Sequence, residues 1–329
     1  MAHSPTSSNL DGDAGDVAPV FVGGAPRSGT HIVAHLIGAH PSYSVIPYEV
    51  VVHCGRRKGI PAFVNGIVDR DELIETIRTH WWRRPLPWRP ELDRGLYKLV
   101  GRQELDSVLE QFRELPGDGR LESGRWLARA LFAAITAGSG APGFSEHTPE
   151  NLNVAPDVLA IFPEAKIVHV VRDGRDRACS VVKLPFGADT YAEAMRRWAL
   201  VLKRGEGVRA EIPPDRLLVL QLEDLVLTDR DRSYARLLEF IELTDDPAMR
   251  AFFESEVGPE RAHVGRWRTE LEPAERAELE AAYAETVREL RADGVTSLPP
   301  ERPLEVAYGV TDGTSSVDPW AEGRGEEDI

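Results

Sequence analysis

The stretch GGAPRSGTHIV (residues 23–33) follows a short apolar run and decides how the fold is interpreted. The spacing from Gly24 to Gly29 is the G-x-x-x-x-G of a nucleotide-triphosphate loop, in which a Lys and then a Ser or Thr would follow the second glycine. Here a Thr and a His stand at those positions, and the cation lies inside the loop at Arg27. Backbone N–H groups at a strand–loop–helix junction favour a phosphate. The stretch therefore predicts a phosphate cradle that lacks the lysine contact and the magnesium ligand of a kinase.

The composition argues against several classes of protein. Of 329 residues, 42% are hydrophobic, which is ordinary for a globular chain. The formal net charge of −15 argues against general nucleic-acid binding. The sequence has neither an apolar run of about 18 residues nor an N-terminal signal pattern, so we expect no membrane span and a cytoplasmic location. Cys54 and Cys179 have neither disulfide nor metal spacing, which agrees with a reducing compartment.

Alternating apolar runs and amphipathic stretches predict an α/β fold, a single domain with a central, mainly parallel β-sheet flanked by helices. The domain is expected over residues 17–308, between loose tails at residues 1–16 and 309–329. Strands are predicted at residues 18–22, 166–171 and 217–221, and helices at residues 30–39, 120–137 and 273–292, with a further helix beginning at Thr148-Pro149.

A basic segment interrupts this pattern. Residues 55–102 carry eleven Lys or Arg against six Asp or Glu, a local charge of +5 in an acidic chain. Within it, the stretch WWRRPLPWRP contains three prolines, so residues 61–96 are expected to form an irregular excursion over the sheet. The segment is either a site for an anion or a basic face turned to solvent.

A second basic cluster follows the strand predicted at residues 166–171. Arg172 comes directly after that strand, and Ser180 lies two turns along the helix expected to begin near Asp173. An Arg at a strand end and a hydroxyl on the next helix can hold one further phosphate. Two anion sites at neighbouring strand ends indicate a nucleotide phosphorylated at two places. The alternative is a capped helix with surface arginines.

The two motifs resemble those of the PAPS-dependent sulfotransferases, which use 3′-phosphoadenosine-5′-phosphosulfate. The resemblance covers roughly residues 18–290 and includes His40-Pro41 and Glu223-Asp224-Leu225. It implies a P-loop-like fold, PAPS as sulfuryl donor, PAP as product, no required metal, and a hydroxyl of a small molecule, glycoside or lipid as acceptor. The residues that it assigns to the cofactor are Pro26, Arg27, Ser28, Gly29, Thr30 and His31 in the first loop, Arg172 and Ser180 in the second motif, and Gly265, Arg266 and Trp267 in a late loop.

The resemblance also directs the search for the base that takes the acceptor proton. Glu49 is the leading candidate, because members similar to the tyrosylprotein and carbohydrate branches keep a catalytic Glu at about this place. An ordinary Glu is a weak base near pH 7, so burial would have to raise its pKa; otherwise Glu49 is a salt-bridged surface carboxylate. His53 is the second candidate, since imidazole titrates near neutrality. Arg27 would stabilise charge on the leaving phosphate. Three residues rank below these as bases: His31, Glu146 and His147.

The Trp-Arg stretch of the basic segment is the candidate acceptor contact. Aromatic faces and guanidinium groups suit a sugar, an aromatic or an anionic acceptor, although the tryptophans could equally pin the segment to the sheet. The side chains concerned are Trp81, Trp82, Arg83, Arg84 and Trp88. In the family, a segment similar to the one around His147 often carries Lys there. As a charge contact to the sulfuryl group, His147 would act only when protonated.

Two other functions stay open at this point. One is a P-loop kinase or NTPase, opposed by Thr30 in the lysine position, with Asp173 as its metal ligand. The other is a nucleotide-binding protein without catalytic activity. The sequence has no signature of a subunit interface, so it predicts no oligomeric state, and we expect neither nucleic acid nor a membrane as partner.

Overall fold

The computed structural model describes residues 17–86, 89–117, 119–182, 184 and 187–299. Its strands are β1 (Val20–Gly24), β2 (Tyr43–Val45), β3 (Pro85–Leu86), β4 (Arg89–Asp93), β5 (Gly143–Glu146), β6 (Lys166–Val171) and β7 (Leu217–Gln221). Five of them form an open parallel sheet in the order β2-β5-β1-β6-β7. The other two, β3 and β4, form an antiparallel hairpin.

The central strands β1 and β6 are buried along their whole length. A parallel strand covered on both faces has a continuous apolar sequence, as VFVGG and KIVHVV largely do. Side chains alternate between the two faces of β1. Phe21 packs on one face against Phe132 and Phe162, while Val20 and Val22 join the apolar cluster of the other face. Both faces therefore need helices to cover them.

Helices supply these outer layers. They are α1 (Thr30–Gly38), α2 (Ile60–Val64), α3 (Arg70–Thr76), α4 (Arg102–Glu114), α5 (Arg120–Thr136), α6 (Ala155–Ile161), α7 (Gly174–Val182), α8 (Tyr191–Glu211), α9 (Arg230–Phe240), α10 (Pro247–Glu256), α11 (Arg266–Thr269) and α12 (Pro273–Ala292). Shorter 3₁₀ or π-helical segments occur at Ile77–Trp81, Leu96–Lys98, Pro149–Asn151, Pro214–Arg216 and Asp224–Thr228. The helices α1, α9 and α10 share one apolar cluster with the sheet, and α2 to α6 share another. A third cluster, around Trp198, joins α7, α8 and α12.

The predicted parallel sheet with flanking helices is confirmed. The strands predicted at residues 166–171 and 217–221 and the helix at residues 273–292 occur with those bounds. The first strand begins and ends two residues later than predicted. Its end is later because both glycines there still pair with β6. A strand–loop–helix unit, β1 to α1, carries the glycine-rich stretch as expected.

The prediction of an irregular excursion over residues 61–96 is wrong. This segment contains α2, α3 and the β3–β4 hairpin. Its prolines fit because Pro61 lies in the first turn of α2, where its missing N–H costs no hydrogen bond, and Pro85 begins an edge strand. The predicted helix start at Thr148-Pro149 gives only a 3₁₀ turn, since the Thr148 hydroxyl donates to Glu146 instead of capping a helix.

Some sequence predictions fall outside the described residues. They concern the tails at residues 1–16 and 309–329, the last part of the expected domain at residues 300–308, and Trp88. Among the residues that the structure does describe, no helix is both long and apolar enough to span a bilayer.

Candidate active site

A cavity of about 290 Å³ opens at the carboxyl edge of the parallel sheet. Its wall is formed by the segments that follow β1, β2, β5, β6 and β7, together with Arg94 and residues 261–263. Ligands of open α/β sheets bind at this edge, where the chain leaves the strands. The sheet therefore brings together at one place residues that are far apart in the sequence.

The loop after β1 has the shape of an anion cradle because two glycines permit it. Gly24 has φ 157°, and a Cβ there would lie 2.4 Å from the Val170 carbonyl oxygen. Gly29 has φ 88° and precedes α1, and a Cβ on it would lie 2.9 Å from the Leu222 side chain. Any larger residue would push the loop away from its neighbours. The N-terminal backbone of α1 consequently faces the cavity through Thr30.

Three arginine and serine side chains join the two sequence motifs. Arg27 Nε donates to Ser180 Oγ at 3.0 Å, and Arg172 Nη1 donates to the Arg27 carbonyl at 3.1 Å. Arg172 Nη2 also donates to the carbonyls of Ala262 and His263 at 2.7 and 3.0 Å. The first loop, the strand-end arginine and the segment before α11 thus form one cluster at the cavity.

Two buried donors in this cluster have no hydrogen-bond partner within the described part of the chain. They are the Ser28 hydroxyl, on a residue that is 1% exposed, and Nε of Arg172, on a residue that is 6% exposed. Burying a polar group without a hydrogen-bond partner costs free energy, and the cost is larger for a charged group such as a guanidinium. An anion bound at the cluster would remove that cost. The donor set fits a phosphorylated nucleotide with anionic groups beside each motif.

Glu49 lies in the part of the cavity wall that the segment after β2 forms. Its side chain is 26% exposed, and Arg94 Nη1 lies 3.8 Å from its Oε2. Burial raises the pKa of Glu49 to about 7; the charges of Glu150 and Glu146 add to the rise, and those of Arg94 and Arg84 oppose it. The pKa thus has the value that a base at neutral pH needs.

Three histidines line the same cavity. The ring centroids of His31 and His35 are 4.0 Å apart, and those of His31 and His147 are 5.1 Å apart. His147 is 7% exposed, and its Nε2 has no hydrogen-bond partner in the described residues. His31 and His147 were candidates from the sequence; His35 was missed, although it lies one helical turn after His31.

His53 is not in the cavity wall. Its side chain is 1% exposed, and its Nε2 lies 2.7 Å from Asn151 Oδ1 and 3.4 Å from Glu146 Oε2. Glu146 itself is fully buried; burial works to raise its pKa, but His53, His147 and the Thr148 hydroxyl outweigh it and hold the pKa at about 2. His53 and Glu146, both candidate bases from the sequence, thus belong to one buried network and do not line the cavity.

The late loop also differs from expectation. Trp267 is 2% exposed, and its ring packs against the Arg175 guanidinium, 4.3 Å from the ring centroid. The backbone N–H groups of Gly265 and Trp267 donate to the Asp176 carboxylate. Arg266 pairs with Glu270 at 3.0 Å. None of the three expected contacts lies in the cavity wall; residues 261–263, which the sequence analysis missed, lie there instead.

The Trp-Arg stretch packs mainly within its own segment. Trp81 is buried and donates Nε1 to the Lys58 carbonyl at 2.9 Å. The Arg83 guanidinium stacks over Tyr97, with 4.7 Å between its carbon and the ring centroid. From this basic segment it is Arg94, not singled out in the sequence, that lines the cavity. In the described residues, no three His, Cys, Asp or Glu side chains form a metal-binding group.

Comparison with known proteins identifies the family of the chain. A model of the sulfotransferase family matches residues 19–247. The protein-tyrosine sulfotransferase of Drosophila melanogaster is 24% identical over 229 residues, 68% of this chain and 38% of that protein. Protein-tyrosine sulfotransferase A of Caenorhabditis elegans is 22% identical over 251 residues, 74% of this chain and 55% of that protein. The chain thus spans less than two thirds of each relative.

A solved structure is also similar. The sulfotransferase domain of the Synechococcus PCC 7002 olefin synthase is 17% identical, with a TM-score of 0.48, over 81% of this chain and 94% of that domain. The family assignment itself depends on the family model, which matches well over half of the 329 residues. The chain belongs to the sulfotransferase family.

Proposed function

We propose that the protein transfers a sulfuryl group from PAPS to a hydroxyl of a small-molecule, glycoside or lipid acceptor. The observation that carries the proposal is the cluster of Arg27, Ser180 and Arg172 beside a cavity that also contains Glu49. One wall of this cavity offers cationic donors and the other a carboxyl whose pKa is about 7. Sulfuryl transfer requires this combination of an anion cradle and a base.

On the donor side, the first loop and the second motif would bind different anionic groups of PAPS. Ser28, Gly29 and Thr30 would hold the 5′-phosphosulfate at the N-terminus of α1, and Arg172 with Ser180 would hold the 3′-phosphate. PAPS supplies a sulfuryl group on a phosphate leaving group. Arg27 lies between the two positions, bonded to Ser180, and its fixed charge would stabilise the negative charge that develops on the leaving oxygen.

On the acceptor side, Glu49 would take the hydroxyl proton while the acceptor oxygen bonds to sulfur. The bond between sulfur and the 5′-phosphate oxygen breaks, and PAP leaves with that electron pair. A carboxyl with a pKa of about 7 is substantially ionised at neutral pH and still basic enough to accept a proton. Arg94, 3.8 Å away, keeps part of the carboxyl in its ionised form.

The acceptor class and the location remain predictions. The two relatives are named for protein tyrosine, whose hydroxyl is phenolic, so phenols and tyrosine peptides belong in the acceptor panel. The cytoplasmic location rests on the sequence alone. A P-loop kinase or NTPase is the competing reaction class, and a nucleotide-binding protein without activity is the other.

The test combines binding with turnover. Thermal unfolding of the purified protein is measured with PAP and EDTA, and separately with ATP and magnesium. At a hundred times its Kd, a ligand adds about 2.7 kcal/mol to the free energy of unfolding, which shifts the midpoint measurably. Transfer of ³⁵S from labelled PAPS is then followed over sugars, phenols, sterols and tyrosine peptides. Stabilisation by ATP and magnesium alone would refute the proposal, and PAP binding without transfer to any acceptor would favour the non-catalytic alternative.

A further inference from the structure

The backbone directly after Glu49 is strained. Val51 has φ 56°, in the left-handed region that a β-branched side chain rarely adopts. The Val52 N–H donates to the Val50 carbonyl at 2.6 Å, which closes a three-residue turn around Val51. Strain of this kind persists only where surrounding contacts hold it, and it is concentrated at functional sites. Some group must therefore hold this turn.

Glu146 is the group whose carboxylate is hydrogen-bonded to the turn. Its Oε1 accepts from the Val50 N–H at 3.1 Å and from the Thr148 hydroxyl at 2.5 Å. Its Oε2 accepts from the Thr148 N–H at 3.0 Å and from the Asn151 amide at 2.6 Å. The residue is fully buried at the end of β5. Because β5 lies in the sheet between β1 and β2, these contacts tie the turn to the central sheet.

We infer that Glu146 is a positioning residue for Glu49: its buried carboxylate holds the strained turn at residues 50–52 and thereby keeps the Glu49 side chain in the cavity wall. The inference rests on the proposed role of Glu49 as the base. Val50 is the next residue after Glu49, so the bond from its N–H fixes the chain immediately beyond the base.

Holding the turn in this way requires a carboxylate at position 146, because an amide of the same shape cannot accept all of these hydrogen bonds. All four contacts to the turn, Thr148 and Asn151 come from donors, two on each oxygen. A glutamine would replace one acceptor oxygen by an NH₂ group that faces donors. It would also remove the negative charge that contributes to the raised pKa of Glu49. Glu146 therefore acts on Glu49 through both position and charge.

The first experiment compares Glu146→Gln with wild type by two readouts. The ¹³C signal of the Glu49 carboxyl, assigned by its absence in Glu49→Gln, is titrated from pH 4 to 9. We expect its midpoint to fall in Glu146→Gln toward the ordinary value for Glu, because a neighbouring negative charge is lost. We also expect turnover to fall about a hundredfold while PAP affinity stays unchanged, since a displacement of about 1 Å costs that much.

A double variant separates positioning from general damage. If Glu146 holds a strained turn, Val51→Gly removes the strain, because glycine adopts a positive φ without cost. The turn then depends less on its hydrogen bond to Glu146. We therefore expect Val51→Gly to restore turnover about tenfold in the Glu146→Gln background, a rescue that general damage to the fold would not give. If Glu146→Gln does not fold, Thr148→Val, which removes one donor to the same carboxylate but keeps its charge, should give a smaller loss of turnover with PAP affinity unchanged.

Glu206→Gln is the matched control. Glu206 also accepts several bonds, from the Thr296 and Ser297 backbone, but lies on α8 outside the cavity wall. It should leave the Glu49 midpoint and turnover unchanged. An unchanged midpoint in Glu146→Gln, or no rescue by Val51→Gly, would overturn the inference even if wild type transfers sulfate. A shifted midpoint in a protein that transfers nothing would support the effect of Glu146 on the Glu49 carboxyl and refute the proposed function.

Discussion

The two walls of the cavity are built in different ways. The donor wall comes from short motifs that follow β1 and β6 directly, and contacts such as Arg27 to Ser180 connect them. The acceptor wall comes from the segment after β2, from Arg94 and from His147, and its backbone is hydrogen-bonded at Val50 to a buried network centred on Glu146. The donor wall is thus determined by strand ends, whereas the acceptor wall is determined by long-range contacts. Variants on the two walls should separate binding from turnover.

The largest effect is expected on the acceptor wall. Glu49→Gln removes the proposed base but keeps the shape of the side chain, so we expect turnover to fall about 10²- to 10⁴-fold with PAP affinity unchanged. Steady-state ³⁵S transfer and PAP titration by calorimetry measure the two quantities. Glu164→Gln, a carboxylate that pairs with Arg129 away from the cavity, is the control. Wild-type turnover in Glu49→Gln would remove Glu49 from the role.

The next effect is expected on the donor wall. Arg172→Ala removes a buried charged donor next to the first loop, and a lost charge-assisted bond of about 1.5–3 kcal/mol corresponds to roughly 10- to 100-fold weaker PAP binding. The shift of the unfolding midpoint by PAP measures it. Arg216→Ala, which removes a guanidinium bonded to the Glu164 carbonyl, should bind PAP as wild type does. Equal losses in both variants would mean that Arg172 stabilises the fold rather than the ligand.

The pH dependence should follow Glu49. A base must be ionised to act, so turnover should rise with pH and reach half its plateau near pH 7, the value to which the Glu49 pKa is raised, rather than near 4.5. The stability of the folded protein should change with pH in the opposite direction to turnover. The folded state holds this proton more tightly than the unfolded chain does, so the Glu49 contribution to the free energy of unfolding falls as pH rises from about 4.5 to about 7.

Glu49→Gln lacks this titration and serves as the reference for both profiles. Urea unfolding at several pH values, in wild type and in this variant, isolates the Glu49 contribution. A difference between the two that does not change between pH 4.5 and 7 would contradict the raised pKa.

The smallest effect is expected from Arg94, which connects the acceptor wall to the basic segment. Its charge lowers the Glu49 pKa, so Arg94→Gln should raise that pKa and move the turnover profile to higher pH. At pH 7 we expect a loss of about a few-fold that disappears near pH 9. Arg102→Gln, in the same segment but paired with Asp106, is the control. A loss that persists at high pH would assign Arg94 to acceptor binding.

The sequence predicted the donor wall better than the acceptor wall for a physical reason. Arg27, Ser180 and Arg172 need only a parallel sheet to bring their strand ends together, and apolar runs indicate that sheet. His53 is buried against Asn151 and Glu146 and does not line the cavity, and no local pattern indicates the three-residue turn that lies between it and Glu49 in the chain.

The late loop shows the same limit. The sequence around Trp267 matches a family pattern, but whether the indole faces a ligand or the core depends on α12 and on Arg175, which lies between the Trp267 and Tyr283 rings. Arg94 and residues 261–263 carried no local signal either. Only the folded chain brings them to the cavity.

The position of β1 has a consequence for the order of events during synthesis. This strand is among the first described residues of the chain, yet it pairs with β5 and β6, at Ser145 and Lys166. A nascent chain on the ribosome therefore carries a wholly apolar strand without its neighbours until residue 171 has emerged. Such segments are prone to aggregate. We expect chaperones to engage this segment first, and the proposed nucleotide site to form only after the helix that carries Ser180 has been made.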